Sequence, residues 1–262
     1  MKLINRTSPL SSWTTVLTGQ RLSKLMLSHL VGAGILLGLS SPAIAQITQA
    51  TIVEILDGNE VFVEDGAGSS DRIPAAIDTV VEFQETVVTE DSRAALAFDN
   101  GAVGRMGRNS RITVGQCIEV QQGILLAAGP ANGCTATFAI GVEGTMYAIV
   151  KDENTETHRI QVLEGIVEVA LSDESSPEEE RIQRISAGEE VTVGPDGRFR
   201  ARRTLDRQDI RVLLRSGVFN NFEGVLPDIE NLEITLNNLY PKIQLPCLPG
   251  FRNCSGPIRG LF

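Results

Sequence analysis

The residues able to do chemistry are few and unevenly placed. Four cysteines, Cys117, Cys134, Cys247 and Cys254, could support redox chemistry or hold a metal. Their even number and short spacings favour two local disulfides, Cys117 with Cys134 and Cys247 with Cys254. Zinc is the competing use, but Cys-x-x-Cys is absent and histidine nearly so, and no metal is expected. Pro249 and Gly250 supply turn chemistry inside the second loop, whose closure stabilises by about 2–3 kcal/mol. After residue 45 the sole imidazole is His158, within Glu156-Thr157-His158-Arg159-Ile160, a pattern that reads as an exposed strand position. A Ser-His-Asp set needs its base beside the hydroxyl, and nothing here marks one. Gly-x-Ser-x-Gly, Gly-Lys-Ser/Thr and His-Glu-x-x-His are also missing. Carboxylates are abundant but form no Asp-x-Asp-x-Asp-Gly ladder. Paired glycosidase acids lie far apart in sequence, so a polysaccharide-active enzyme stands as a distant alternative. The expectation is a non-catalytic chain without a cofactor.

The charges are more informative. Residues 46–197 hold 27 acids against nine bases, whereas residues 198–215 hold seven arginines against Asp206 and Asp209. Arg198, Arg200, Arg202 and Arg203 come first, and Arg207, Arg211 and Arg215 follow at four-residue spacing, which puts them on one helical face. Two readings compete for these arginines. They neutralise the acidic body internally, or they contact an acidic partner, a lipid headgroup or an envelope glycan.

The first 45 residues carry Lys2, Arg6, Arg21 and Lys24 and no acid, then the apolar run from Leu30 to Leu39, then Ala43-Ile44-Ala45. That order is a secretory signal peptide cleaved after Ala45. The alternative is an uncleaved anchor, with Leu25 to Leu39 stretched toward membrane length. The chain carries a net charge of −10, which becomes −14 without the leader's four bases. That charge disfavours DNA and anionic lipid, and export makes nucleic acid an unexpected partner. The expected location is periplasmic or extracellular.

Something must position these groups. From Ile47 onward Val, Ile, Thr and Phe alternate in short runs between glycine and acid-rich turns. This pattern predicts an all-β fold, an antiparallel sandwich, roll or solenoid of short strands and hairpins. Asp57-Gly58, Asn100-Gly101 and Asp196-Gly197 read as hairpin turns. Four stretches, 119–127, 141–150, 161–170 and 185–193, share a strand, glycine, strand pattern and read as stacked hairpins. The period changes at Thr204 to Gly217, where Thr204 or Asp206 can cap a short helix with Ile210, Leu213 and Leu214 on one stripe. Pro227 to Tyr240 suits either a helix or a strand. The divisions are a signal peptide at 1–45, a β domain at 46–197, a basic segment and helix at 198–217, and a C-terminal tail at 218–262. The proline-rich last 22 residues read as extended and closed by a disulfide loop.

Thr89-Glu90-Asp91-Ser92-Arg93-Ala94, the strand ending Phe98-Asp99-Asn100-Gly101, and Arg105-Met106-Gly107-Arg108-Asn109-Ser110 resemble the FecR domain family. Gln122-Gly123-Ile124-Leu125, Gly144-Thr145-Met146-Tyr147, Val162-Leu163-Glu164-Gly165-Ile166-Val167 and Ser186-Ala187-Gly188-Glu189-Glu190 follow in familial order. The resemblance spans roughly residues 50 to 195, an ordinary domain length. It implies an envelope β domain of the kind that reads a receptor and signals through a membrane helix to a cytoplasmic segment acting on a sigma factor. No cytoplasmic domain is recognisable before the apolar run, so the expectation carried over is an exported binding or scaffolding module with an envelope protein or glycan as partner. A membrane-anchored regulator is the alternative. Arg105, Arg108 and Arg111 read as solvated strand ends.

Overall fold

A computed structural model describes residues 47–66, 71–152, 154–173, 177–243 and 245–252. The leader, the cleavage position after Ala45 and Cys254 lie outside the described residues. In chain order the strands are β1 (Gln49–Leu56), β2 (Val61–Glu64), β3 (Arg72–Pro74), β4 (Val80–Glu82), β5 (Thr86–Thr89), β6 (Arg93–Phe98), β7 (Val103–Met106), β8 (Ser110–Thr113) and β9 (Ile118–Gly129). They continue as β10 (Gly133–Cys134), β11 (Phe138–Val142), β12 (Thr145–Asp152), β13 (Thr157–Glu164), β14 (Ile166–Leu171), β15 (Ile182–Ser186), β16 (Glu189–Val193) and β17 (Phe199–Thr204). Among the described residues three helices complete the set: α1 (Glu178–Arg181), α2 (Arg207–Leu214) and α3 (Ile229–Leu239).

The strands pair in two series that share β9. One sheet runs β4-β1-β6-β7-β9-β12-β13-β16-β17. The other runs β3-β2-β5-β8-β9-β10-β11-β14-β15. Every pairing is antiparallel except that of β9 with β10, which is parallel. The expected all-β architecture is present, but the four glycine-centred stretches are not hairpins. β11 and β12, β13 and β14, and β15 and β16 belong to different sheets, and Gly144, Gly165 and Gly188 turn those corners with positive φ. Gly123 does the same inside continuous β9, where the strand passes from β8 to β12. A Cβ there would stand 2.6 Å from the Asn109 carbonyl oxygen, so only glycine fits. Asp57-Gly58 is likewise a corner, since β1 and β2 do not pair. Asn100-Gly101 and Asp196-Gly197 do close hairpins, β6 to β7 and β16 to β17.

Alternation along the strands builds two cores. Ile52, Leu96, Leu125 and Tyr147 of the first sheet meet Val87, Ile112, Phe138 and Val167 of the second in one buried cluster. The opposite face of the first sheet contributes Leu126, Ala128, Met146, Ala148 and Leu163 to a second cluster. Central strands β9 and β12 are therefore apolar on successive residues, because both of their faces are covered. The cover is the C-terminal segment: Leu213, Phe219, Leu226, Leu232, Leu236, Ile243, Leu248 and Phe251 are buried against that face. Residues 218–240, expected as tail, thus form a turn and a helix, and Pro227 to Tyr240 resolves as α3. The described residues from Pro241 to Arg252 have no regular secondary structure but still bury three apolar side chains. Each fully buried Leu, Ile or Phe contributes about 1.5–3 kcal/mol, so leaving the sheet's outer face bare would be costly.

Two polar residues differ from expectation. His158 is buried, packs edge-on to Phe138 at 5.3 Å between ring centres, and its Nδ1 has no hydrogen-bond partner among the described residues. Arg105 is 3% exposed rather than a solvated strand end.

Candidate functional site

Helix α2 is fixed at its start by chemistry legible in the sequence. The Asp206 carboxylate accepts from the Gln208 and Asp209 amides at 2.6 and 2.8 Å, and the Asp209 carboxylate accepts from the Asp206 amide at 2.8 Å. This reciprocal cap contributes about 1 kcal/mol. Ile210, Leu213 and Leu214 turn into the second core, which leaves Arg207, Arg211 and Arg215 on the exposed side.

Six of the seven arginines divide by element, Arg198 lying just before β17. In β17, Arg200 pairs with Asp196 at 2.7 Å, Arg202 with Glu189 at 2.7 Å, and Arg203 with both Glu190 at 2.9 Å and Asp209 at 2.6 Å. Arg203 holds the Asp209 carboxyl below its usual range, and Asp209 with Glu190 raises the Arg203 guanidinium in turn. The strand arginines thus neutralise neighbouring acids. Among the described residues, the side chains of Arg207, Arg211 and Arg215 have no ion pair or hydrogen bond. An exposed guanidinium without a partner contributes little to stability and is available to a ligand.

Next to the C-terminal end of α2 lies a cleft of about 470 Å³ bordered by Asp57, Arg93, Arg108, Arg215, Asn220 and Asn221. It forms where the start of β6 and the turn between β7 and β8 meet the chain after α2. Arg93, at the start of β6, grips Asp57 with two parallel bonds of 2.6 and 3.1 Å. Its remaining nitrogen donates to the carbonyls of Gly217 and Asn220, the latter at 2.7 Å. Arg108 adds a 2.9 Å bond to Asp57. Hydrogen bonds from Arg93 and then Arg108 hold the Asp57 carboxyl down to about 2. Deeper in, Arg105 donates to the carbonyls of Val218 and Gly224, and burial lowers its guanidinium to about 10. The Glu54 carboxylate accepts from the amides of Glu223 and Gly224. Three charged side chains of the sheet, Arg93, Arg105 and Glu54, therefore satisfy the backbone of one crossing segment, as buried polar groups require.

The sequence singled out Arg215 as a contact candidate and Arg108 as a solvated strand end, separately, and marked neither Arg93 nor Asp57 as a site residue. A charged residue opening the apolar run Arg93-Ala-Ala-Leu-Ala-Phe98 was the available signal, since a strand buried on both faces tolerates arginine only where it has partners. Arg111 lies elsewhere, on the second sheet, where it joins Gln121 at 2.8 Å and Glu64; Glu64 also receives Arg72 at 2.9 Å.

Cys117 and Cys134 form a disulfide with 5.7 Å between Cα atoms, tying the parallel pair β9 and β10 near its end. Cys247 is also disulfide-bonded, and its expected partner, Cys254, lies outside the described residues. Such a bond marks an oxidising, non-cytoplasmic compartment. Among the described residues no cluster of His, Cys, Asp and Glu could hold a metal ion, and no helix is long and apolar enough to cross a membrane.

No family model matches the chain, and no curated protein does. Among solved structures, the chain is similar to two described as crystal structures of "a putative anti-sigma factor" from Parabacteroides distasonis ATCC 8503, at 1.65 and 2.50 Å resolution. Each has 17% sequence identity and a TM-score of 0.41 and covers 58% of this chain. The matches cover 73% and 72% of those chains.

Proposed function

We propose that the protein is a non-catalytic, exported binding or scaffolding module of the cell envelope, and that Arg207, Arg211 and Arg215 are its contact surface. The observation that carries this reading is the division among the arginines: those of β17 are consumed by Asp196, Glu189, Glu190 and Asp209, and those of α2 are not. A row of free cations on a chain of net charge −10 concentrates attraction for anions on one face. The disulfide supports export, and the resemblance of residues 89–110 to FecR domains supports a sensory role at the envelope. An acidic protein fits better than a neutral glycan, because the exposed row is cationic and a neutral sugar offers it no opposite charge.

The test is recovery of partners from envelope extracts with the wild-type protein and with the Arg207→Gln, Arg211→Gln, Arg215→Gln triple variant. The expected result is an unchanged melting temperature and loss of the recovered partner. Equal recovery by both proteins overturns the proposal.

A further inference from the structure

We infer that the α2 arginine row and the adjoining cleft form one groove that binds an acidic protein segment in extended conformation, an inference that rests on the function proposed above and specifies its ligand. Arg215 belongs to both parts: it ends the helical row and borders the cleft that Arg108 and Arg93 enter from the sheet. The two stretches that the sequence singled out separately, the FecR-like segment and the basic helix, both contribute arginines to the border of the same concavity: Arg93 and Arg108 from the first, Arg215 from the second.

The cleft already holds one carboxylate, and the way it does so shows what a second would meet. Asp57 occupies Arg93 bidentately but takes only one bond from Arg108, at 2.9 Å. Arg108 remains 56% exposed, and a guanidinium has five N–H donors, so most of its fork is free. Arg215 is exposed and uncommitted. Arg93, Arg108 and Arg215 outnumber the single bordering acid, Asp57. The resulting excess of positive charge selects anions, and paired guanidinium forks select planar carboxylates.

Spacing favours a peptide over a single anion. Arginines four residues apart on a helix rise by about 6 Å per step, and alternate side chains of an extended strand are about 6.6 Å apart. Carboxylates at every second residue of an extended segment would therefore fall in register with Arg215, Arg211 and Arg207. The intervening side chains of such a segment point to its opposite face, away from the helix. A phosphate dianion would face greater repulsion from Asp57 than a carboxylate would.

The probe is a synthetic peptide alternating Glu and Val, titrated calorimetrically into the full exported chain, with a peptide of the same composition but consecutive Glu residues, inorganic phosphate and phosphatidylglycerol vesicles as comparators. The alternating peptide is expected to bind more tightly than the blocked one. Its affinity should fall about tenfold or more in Arg108→Gln, Arg215→Gln, and should be unchanged in Arg200→Gln, whose arginine is already paired. Circular-dichroism melting of each variant verifies that the fold is intact. Equal affinity of the wild type and the double variant overturns the inference, as does equal binding of both peptides or binding of phosphate or vesicles alone. If the wild type recovers an envelope partner that the α2 triple variant loses, yet binds no alternating peptide, the proposed function stands and this inference falls. If the peptide binds through Arg108 and Arg215 while partner recovery ignores α2, the groove stands and that function falls.

Discussion

The guanidinium of Arg105 lies 4.6 Å from the centre of the Phe222 ring, and that of Arg93 lies 5.4 Å from the same ring. One aromatic from the segment between α2 and α3 is thus held by two buried cations from neighbouring strands β6 and β7. The ring's negative face offsets part of what desolvating the guanidiniums costs, and the carbonyls of Gly217, Val218, Asn220 and Gly224 supply their hydrogen bonds. This clamp presses the C-terminal layer onto the sheet and thereby sets where α2 presents its arginines.

Phe222→Ala should lower stability by about 3–5 kcal/mol, the range for truncating a buried aromatic. The loss should be local at first. Amide hydrogen exchange is expected to rise in α2 and α3 before it rises in β5 and β8, which take no part in the second core. Uniform acceleration across both sheets would mean that the layer is not separable.

Replacing Cys117 and Cys134 with serine should lower unfolding free energy by about 2–4 kcal/mol, measured by chemical denaturation. The bond closes a loop of sequence separation 17 and anchors the sole parallel pairing among the described strands. A cost near zero would show that β10 is held by β11 alone.

Asp57 makes stability depend on acid. Its carboxyl is held down to about 2 in the folded protein, against an ordinary value of 3.8. A depressed carboxylate contributes stability that is fully present above its unfolded pKa and is lost as pH falls through the folded one. Melting temperature should therefore fall between about pH 4 and pH 2, and Asp57→Asn should be less stable at neutral pH with a flatter profile across that window. A profile of unchanged slope in the variant would remove Asp57 from the account.

The two arginine classes should respond differently to truncation. Arg203→Gln leaves Glu190, only 4% exposed, with its Gln161 bond but without its cation, and should cost about 1–3 kcal/mol. Arg207→Gln and Arg211→Gln should each stay within about 0.5 kcal/mol. Thermal melts at low and high salt check both, and a large loss from the helix variants would reveal attractions to the acidic body.

Period-two alternation from Ile47 onward made the all-β class legible, and with it most strands, because a half-buried strand writes its burial into every second residue. Strand β17 was harder to see: four of its six residues are Arg or Thr, and it forms an edge with only Phe199 partly buried. Helix α2, its Asp206 cap and its apolar stripe were also readable, since capping and amphipathicity are local. So was the pairing of Cys117 with Cys134, which spacing alone suggested.

Which glycines turn corners and which close hairpins was not local. Gly144, Gly165 and Gly188 look in sequence like Gly101, yet they pass the chain between sheets, because pairing partners are chosen by long-range packing. The same limit hid the second core. Leu126 and Leu163 read as ordinary strand residues until the C-terminal segment folds over them, and that cover is what forces Arg93 and Arg105 to find carbonyl partners. The sequence by itself determined most of the strands, helix α2 and the arginine row. Only the tertiary structure decided which arginines are spent on neighbouring acids and which remain free, because a charge's partners are whatever the fold brings within about 4 Å, as β16 brings Glu189 to Arg202.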